Sequence, residues 1–368
     1  MRSTIAEINV SNLKHNLNQF RKRAGNMEIM PVIKADAYGH GIVEISRILR
    51  KENADVLGVA FADEAMKLRK EGDTGDIFVL IPGTDYDAEL YVAFNLQASV
   101  MDMHIIQKLS KLSMKRGIKV RTHLFINTGM NRDGIEPKDA VKFMNEAKTY
   151  EGIEMIGIMT HLASSELEDK SFSNLQLERF DNTLKDLNNH NYQFKKVHTY
   201  NSAAILNFPN NKYNLSRCGI GLYGYMDYPE LAKKLDLKPV LTLKSKVINI
   251  NSIGKGDNVG YSLKYISDAE KRIAVVPLGY GDGFHRALSN KAQCLINGKK
   301  YQLVGAICMD QCLVDIQNDN IKINDEVVFI GRQGNEEISC FDNAKIMNTI
   351  PYEITTALKH RVPRIYID

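Results

Sequence analysis

Short apolar runs alternate with longer stretches of helical period through the first two thirds of the chain. Ile29–Ile33 is followed by Ile42–Lys51, Val56–Ala60 by Asp63–Glu71, Ile77–Ile81 by Asp87–Phe94, and Leu96–Val100 by Met103–Arg116. The rhythm continues with Val120–Asn127 and Pro137–Tyr150, Ile156–Thr160 and Ser171–Asn188, Lys196–Asn201 and Ala203–Phe208, and a last run, Asn214–Arg217. Short continuous apolar runs suit strands buried on both faces, and strands alternating with helices predict a parallel sheet. Eight such units over about 230 residues predict a TIM (β/α)8 barrel.

Beyond roughly Asp236 the helical period fades. Leu241–Ile250, Arg272–Val276, Cys294–Ile296, Tyr301–Val304, Cys312–Ile316 and Glu326–Ile330 are β-branched or aliphatic runs, separated by turn signals such as IGKGD, NGK and NDE. They predict a mostly antiparallel β domain. Ser3–Val10 alternates like a strand ahead of the helix-like Asn12–Arg23, and it is a candidate to pair with that distant domain. The expected division is a barrel over 10–235 and a mostly β C-terminal domain over 236–368 that takes in strand 1–9.

Composition narrows the function. A chain of 368 residues is long for one core, which agrees with two domains. The formal net charge of +4 is mild for this size and leaves no footprint of nucleic-acid binding. No apolar run approaches the roughly 20 residues that span a bilayer, and MRSTIAEINV has no signal-peptide core, so no membrane partner and a cytoplasmic location are expected. Cys218, Cys294, Cys308, Cys312 and Cys340 are odd in number and lack CxxC spacing, which argues against a disulfide framework or a structural zinc site; no metal is expected.

The chemistry centres on MPVIKADAYGHG, Met30 to Gly41. A buried strand that ends in Lys34 needs a reason, because burial disfavours the ammonium and turns the amine into a nucleophile or base. A lysine that merely reaches solvent from a strand end is the plain alternative. Active sites of TIM barrels lie at the C-terminal ends of the strands. Those positions collect Lys34, the stretch Asn127, Thr128, Gly129, Met130 and Arg132, then His161, Asn201, Ser202, Arg217, Gly219 and Ile220. Such a mouth suits an anionic aromatic cofactor and a carboxylate substrate.

KADAYGHG resembles the cofactor-lysine motif of the alanine racemases, and INTGMNR, THLA, NSAA, SRCGIGLYGY, VGYS, PLGYGDG, ICMDQ, PYE and RVPRIY resemble further motifs of that family in family order. One such match alone is weak; ten in sequence across both halves are specific. The resemblance implies a barrel plus β domain, a head-to-tail homodimer with shared active sites, and pyridoxal 5'-phosphate as cofactor. The implied activity is interconversion of L- and D-alanine, supplying D-alanine for peptidoglycan. By that resemblance Lys34 would bind the cofactor as a Schiff base and act as base on one face of Cα. Tyr261, from the partner subunit, would act on the other. Arg217 would face the pyridine nitrogen, His161 would flank the ring, and Tyr38, Ser202, Tyr352 and the amides of Gly219 and Ile220 would bind the phosphate. Arg132 would bind the substrate carboxylate or brace the cofactor oxygen, and Met309 and Asp310 would reach the same site from the partner's β domain. Tyr280 would line the entrance with Tyr352, and Tyr352 would crowd the space beside Cα so that a small side chain is favoured.

Three positions depart from the family pattern. Phe125 stands where many family members carry a carbamylated lysine whose negative charge holds the substrate-binding arginine, and Asn127 replaces the usual aspartate. Either another anion, a chloride or a carboxylate from elsewhere, holds Arg132, or the site is retuned toward another small amino acid such as serine, or toward broad specificity. Ala306 also stands where arginine is common. A decarboxylase of the same architecture is disfavoured by Arg217, since an acidic residue is expected there. A non-catalytic cofactor carrier is disfavoured by the β domain and Tyr261.

Overall fold

The computed structural model describes residues 2–208, 212–226 and 228–368. The chain divides into two compact units, one of Lys14–Ala37 and Ile42–Leu237, the other of Met1–Leu13, Tyr38–Gly41 and Lys238–Asp368. Strand β1 (Ile5–Asn9) belongs to the second of them.

The first unit is a parallel barrel. Its strands are β2 (Glu28–Pro31), β3 (Val56–Val59), β4 (Asp76–Val79), β5 (Gln97–Val100), β6 (Val120–Phe125), β7 (Ile153–Met159), β8 (Lys196–His198) and β9 (Leu215–Cys218). β2 pairs with β9 and the rest follow in order to β3. A parallel bridge between Val32 and Gly58 closes the ring, with Ile33 N–H donating to Gly58 O at 2.8 Å. This is the eightfold α/β pattern that the alternation of apolar runs and helices predicts. Side chains two apart on a strand share a face. One interior layer is therefore apolar, built by Met30, Val56, Phe78, Phe125, Met159 and Leu215. The positions two residues away on these strands, and their neighbours, are often polar: Asp76, Gln97, His123, His198 and Arg217.

The second unit is one sheet in the order β11 (Asn249–Ile253), β12 (Lys271–Val276), β15 (Cys312–Asp315), β14 (Lys299–Leu303), β13 (Gln293–Ile296), β16 (Glu326–Gln333), β10 (Leu241–Lys246), β1 and β18 (Arg364–Ile367), with β17 (Glu336–Ile338) on β16. Its pairs are antiparallel except β1 with β18, which is parallel. The run expected as one strand, Leu241–Ile250, is two. Val247 N–H bonds to Asp325 O and Ile248 N–H to Val275 O, so the chain leaves one partner for another there. Helices Cys340–Met347 and Pro351–Thr356 also lie in this mostly β unit. Ser339 starts the first of them: Asp342 accepts its N–H at 2.7 Å and donates its own N–H to Ser339 Oγ at 3.2 Å, a reciprocal cap. Among the described residues no helix is long and apolar enough to cross a membrane.

Candidate active site

Lys34 follows the bridge residue Val32 and opens a turn, Lys34–Tyr38, of the uncommon left-handed kind. Ala35, Asp36, Ala37 and Tyr38 have φ of 51°, 54°, 54° and 53°. Such a conformation costs roughly 1–2 kcal/mol per non-glycine residue, so it needs anchors. Ala37 N–H donates to Ile33 O at 2.9 Å, Ala35 N–H to Glu64 Oε1 at 2.6 Å, and Ile42 N–H to Asp36 Oδ1 at 3.0 Å. Glu64 also takes the N–H groups of Ala60 (2.7 Å) and Phe61 (3.3 Å) at the start of its own helix. Burial raises the Glu64 carboxyl against these backbone bonds. The turn leaves the Lys34 amine half-buried and, among the described residues, without a hydrogen bond or ion pair. Its pKa is lowered, first by burial and then by Arg132; Glu64 opposes and Arg217 adds to the shift. A lowered amine with no partner is prepared for covalent or base chemistry.

Arg217, 3% exposed, comes from β9. One terminal nitrogen donates to His198 Nδ1 (2.7 Å) and His198 O (3.0 Å). The other reaches Thr160 O (2.7 Å), His161 Nδ1 (3.0 Å) and Thr199 O (3.1 Å). Its remaining donor, Nε–H, has no partner among the described residues. Burial, then Arg132, pushes the guanidinium down to about 9, so at neutral pH it stays charged. Because Arg217 can only donate, His161 Nδ1 accepts and the ring proton sits on Nε2. Burial first, then Arg217, Arg132 and Lys34, push the His161 pKa well down and keep it neutral. Gln176 braces the same corner, donating to His161 O at 3.0 Å and Thr128 Oγ1 at 3.3 Å.

Ser202 caps the loop after β9 in an unforeseen way: its Oγ accepts Gly219 N–H at 2.9 Å and lies 3.6 Å from Cys218 Sγ. The Gly219 amide is thus engaged within the protein. Ile220 opens the short helical turn Ile220–Tyr223. Arg132 is 57% exposed at its side chain, and its Nε donates to Asp133 Oδ2 at 2.9 Å. Its charge acts on Lys34, His161 and Arg217 together. Its loop is closed by Asn127 N–H to Ile135 O (2.8 Å) and Ile135 N–H to Phe125 O (2.9 Å). The Asn127 side chain accepts the N–H groups of Gly129 and Asn131 and donates to Glu136, a donation an aspartate cannot make. Phe125 is buried in the apolar layer.

In the second unit, Tyr38 and Tyr352 lie ring to ring, 6.0 Å between centroids. Tyr261, Tyr280 and Met309 line an open cleft of about 710 Å³ together with Arg286, Ile307 and Cys308. Tyr261 is 68% exposed and Met309 53%. Asp310 is not turned into the cleft chemistry: its Oδ1 accepts from Arg361 at 2.6 Å, and Arg361 also pairs with Asp282 at 2.6 Å, which Arg2 holds from the other side. That ties ICMDQ to LGYGDG and RVPRIY. A Cβ at Gly279 would stand 2.4 Å from the carbonyl oxygens of Cys308 and Met309, so only glycine fits there. Ala306 is buried, and nothing in its surroundings explains the change from arginine.

Sequence comparison gives this arrangement a family. The N-terminal domain of alanine racemase matches residues 8–227 and its C-terminal domain residues 240–366. The chain belongs to the alanine racemase family. A curated alanine racemase of Halothermothrix orenii is 36% identical over 99% of this chain and 97% of its own length. A solved alanine racemase of Clostridium difficile 630 superposes with a TM-score of 0.95 at 35% identity, covering 99% of this chain and 96% of that one. The enzyme is thus an isomerase of the alanine racemase class, acting on alanine. The fold extends to other side chains: a histidine racemase of Leuconostoc mesenteroides superposes with a TM-score of 0.92 at 26% identity, over 100% of this chain and 98% of that one.

Glu64, Asp133, Gln176, Arg286, His123 and His198 escaped the sequence reading. Glu64 carried a usable signal, a glutamate three residues after a helix start. The histidines sit in runs read only as apolar strands.

Proposed function

We propose that the enzyme racemises alanine by a two-base mechanism on pyridoxal phosphate bound to Lys34, as a homodimer. The observation that carries this reading is the half-buried Lys34 amine, partnerless among the described residues and lowered in pKa beside Arg132 and Arg217. The donor set of the barrel suits the cofactor: the open Nε–H of Arg217 suits a pyridine nitrogen as a hydrogen-bond donor, and the Ser202 hydroxyl suits its phosphate. When bound, pyridoxal phosphate supplies the electron sink that makes the α-proton of an amino acid acidic. Lys34 holds it and moves a proton at one face of Cα, and the partner subunit's Tyr261 moves it at the other. Arg132 takes the substrate carboxylate. His161, neutral and donating through Nε2–H, borders the ring without adding charge. Arg217 keeps its proton, which leaves the ring nitrogen uncharged and limits the chemistry to proton movement.

Exposed apolar side chains at Tyr261, Leu263, Ile266 and Met309 support burial of this surface against a second copy. The product, D-alanine, would serve peptidoglycan synthesis in the cytoplasm. A second reading, preference for another small amino acid such as serine, is favoured by Phe125. Chiral analysis of the cofactor-loaded enzyme with a panel of L-amino acids tests both. Fast conversion of L-alanine with L-serine far behind supports the first; another amino acid ahead of alanine supports the second. Tyr261→Phe is expected to stop turnover while the Lys34–cofactor absorbance remains; full activity in that variant rejects the two-base scheme.

A further inference from the structure

Arg217 is the head of a hydrogen-bonded chain that crosses the barrel interior. It donates to His198 Nδ1 at 2.7 Å. His198 Nε2 lies 2.8 Å from His123 Nδ1, and His123 Nε2 lies 3.1 Å from Gln97 Oε1. Gln97 Nε2 donates to Asp76 Oδ2 at 2.8 Å, and Arg121 donates to the same oxygen at 2.7 Å. Asp76 and Gln97 are the first residues of β4 and β5, whereas His198 ends β8, so the chain runs from the mouth to the opposite end of the strands.

The polarity of every link follows from chemistry. A guanidinium only donates, so His198 Nδ1 must accept and its proton sits on Nε2. His123 Nδ1 must then accept and donate through Nε2 to the Gln97 carbonyl. The Gln97 amide donates to a carboxylate. All donors point the same way, and hydrogen bonds in such a row strengthen one another. The barrel is shaped for it. β7 lies between the two histidine strands, and a Cβ on its Gly157 would stand 2.2 Å from His123 Nδ1. Phe78 packs on both imidazoles, at 4.4 and 5.5 Å between centroids. Gln97, His123 and His198 are all nearly or fully buried.

We propose that Asp76, Gln97, His123 and His198 form a one-way positioning relay that fixes the Arg217 guanidinium and so sets how firmly its Nε–H holds the ring nitrogen of the cofactor. The relay rests on the reading that Arg217 faces that nitrogen. Its members are positioning residues; none touches the reacting atoms. The relay occupies four of the five Arg217 donors together with Thr160 O, His161 and Thr199 O, and only Nε–H is left for the mouth.

The test is nitrogen-15 spectroscopy of the full-length enzyme labelled at histidine, with and without pyridoxal phosphate. His123 and His198 are both expected protonated on Nε2 and bare on Nδ1; a proton on Nδ1 of either ring overturns the relay with no variant needed. In Gln97→Met the His198 resonances are expected to move although His198 is hydrogen-bonded to His123 and not to that side chain. The variant is expected to lose roughly fivefold in kcat, about one ordinary hydrogen bond, with KM for L-alanine little changed. Gln97→Glu, whose protonated carboxyl both accepts from His123 and donates to Asp76, is expected to restore both. A His198 response to pyridoxal phosphate that Gln97→Met leaves untouched overturns the relay alone. No His198 response, with Lys34 visibly reacted, removes the reading of Arg217 and the relay's role with it.

Discussion

The Cβ that Gly157 lacks would fall 2.2 Å from Nδ1 of His123, so a hydrogen atom on one strand makes room for an imidazole from its neighbour. Gly157→Ala must push the ring aside in a close-packed interior, at a cost of about 1–3 kcal/mol. The denaturation midpoint should fall accordingly, and the loss should shrink in a His123→Ser background. An unchanged midpoint would mean the ring has somewhere else to go.

Asp133 holds Arg132 where Phe125 carries no charge. The pair is largely exposed on the arginine side, which limits its worth to about 1 kcal/mol or less. Asp133→Ala should therefore raise KM for L-alanine by up to roughly fivefold with little change in kcat. Added chloride should recover part of the loss if a free anion can take the vacated place. A kcat loss at constant KM would show that Asp133 acts elsewhere.

Glu64 anchors three backbone amides and, among the described residues, is the charge that opposes the lowering of Lys34. Glu64→Gln removes that opposition, so the Lys34 pKa should drop further. The pH at which the apo-protein's Lys34 half-reacts with pyridoxal phosphate, followed by absorbance, should move down. Stability should also fall, by about 1–3 kcal/mol, because an amide cannot accept at both ends. An upward move of the midpoint would contradict the electrostatic assignment.

Acid should unfold the protein early. Burial lowers His123 to about 3 and His161 and His198 well below their ordinary range. Arg217 lowers all three further, with Lys196 and Arg121 acting on His123. The unfolded chain takes up these protons near pH 6.5 and the folded one does not, so stability is full above about 6.5 and falls as pH drops toward 3. Each histidine adds up to about 1.4 kcal/mol per pH unit of slope in that window. Denaturation midpoints between pH 4 and 8 check it, and His123→Gln should flatten the curve.

The barrel was legible because Val56–Ala60, Ile77–Ile81 and their like are short, apolar and evenly spaced by helices. The polar lining was not. Gln97 and His123 lie inside runs whose two faces are both buried, so alternation gives no sign of which residues point inward, and Asp76 stands just before its apolar run. The break at Val247 was hidden for a different reason: a change of pairing partner leaves no mark on a β-branched run. The caps at Glu64 and Ser339 did leave marks, in the spacing of their acceptors. At the mouth, residue type pointed to Lys34 and Arg217, but the pairing of Ser202 with Gly219 and of Arg132 with Asp133 depends on loop conformation that spacing does not encode.

Strand β1 lies between β10 and β18, antiparallel to one and parallel to the other. In vectorial synthesis it therefore leaves the ribosome with both neighbours unmade. The last of them follows roughly 355 residues later, about 20–70 s at ordinary elongation rates. The barrel strands are all complete by Cys218, well before that. The nascent chain thus carries an unpaired strand with buried-type side chains, Ala6 and Ile8, for most of its time on the ribosome. A chaperone that recognises short apolar segments has its longest opportunity there.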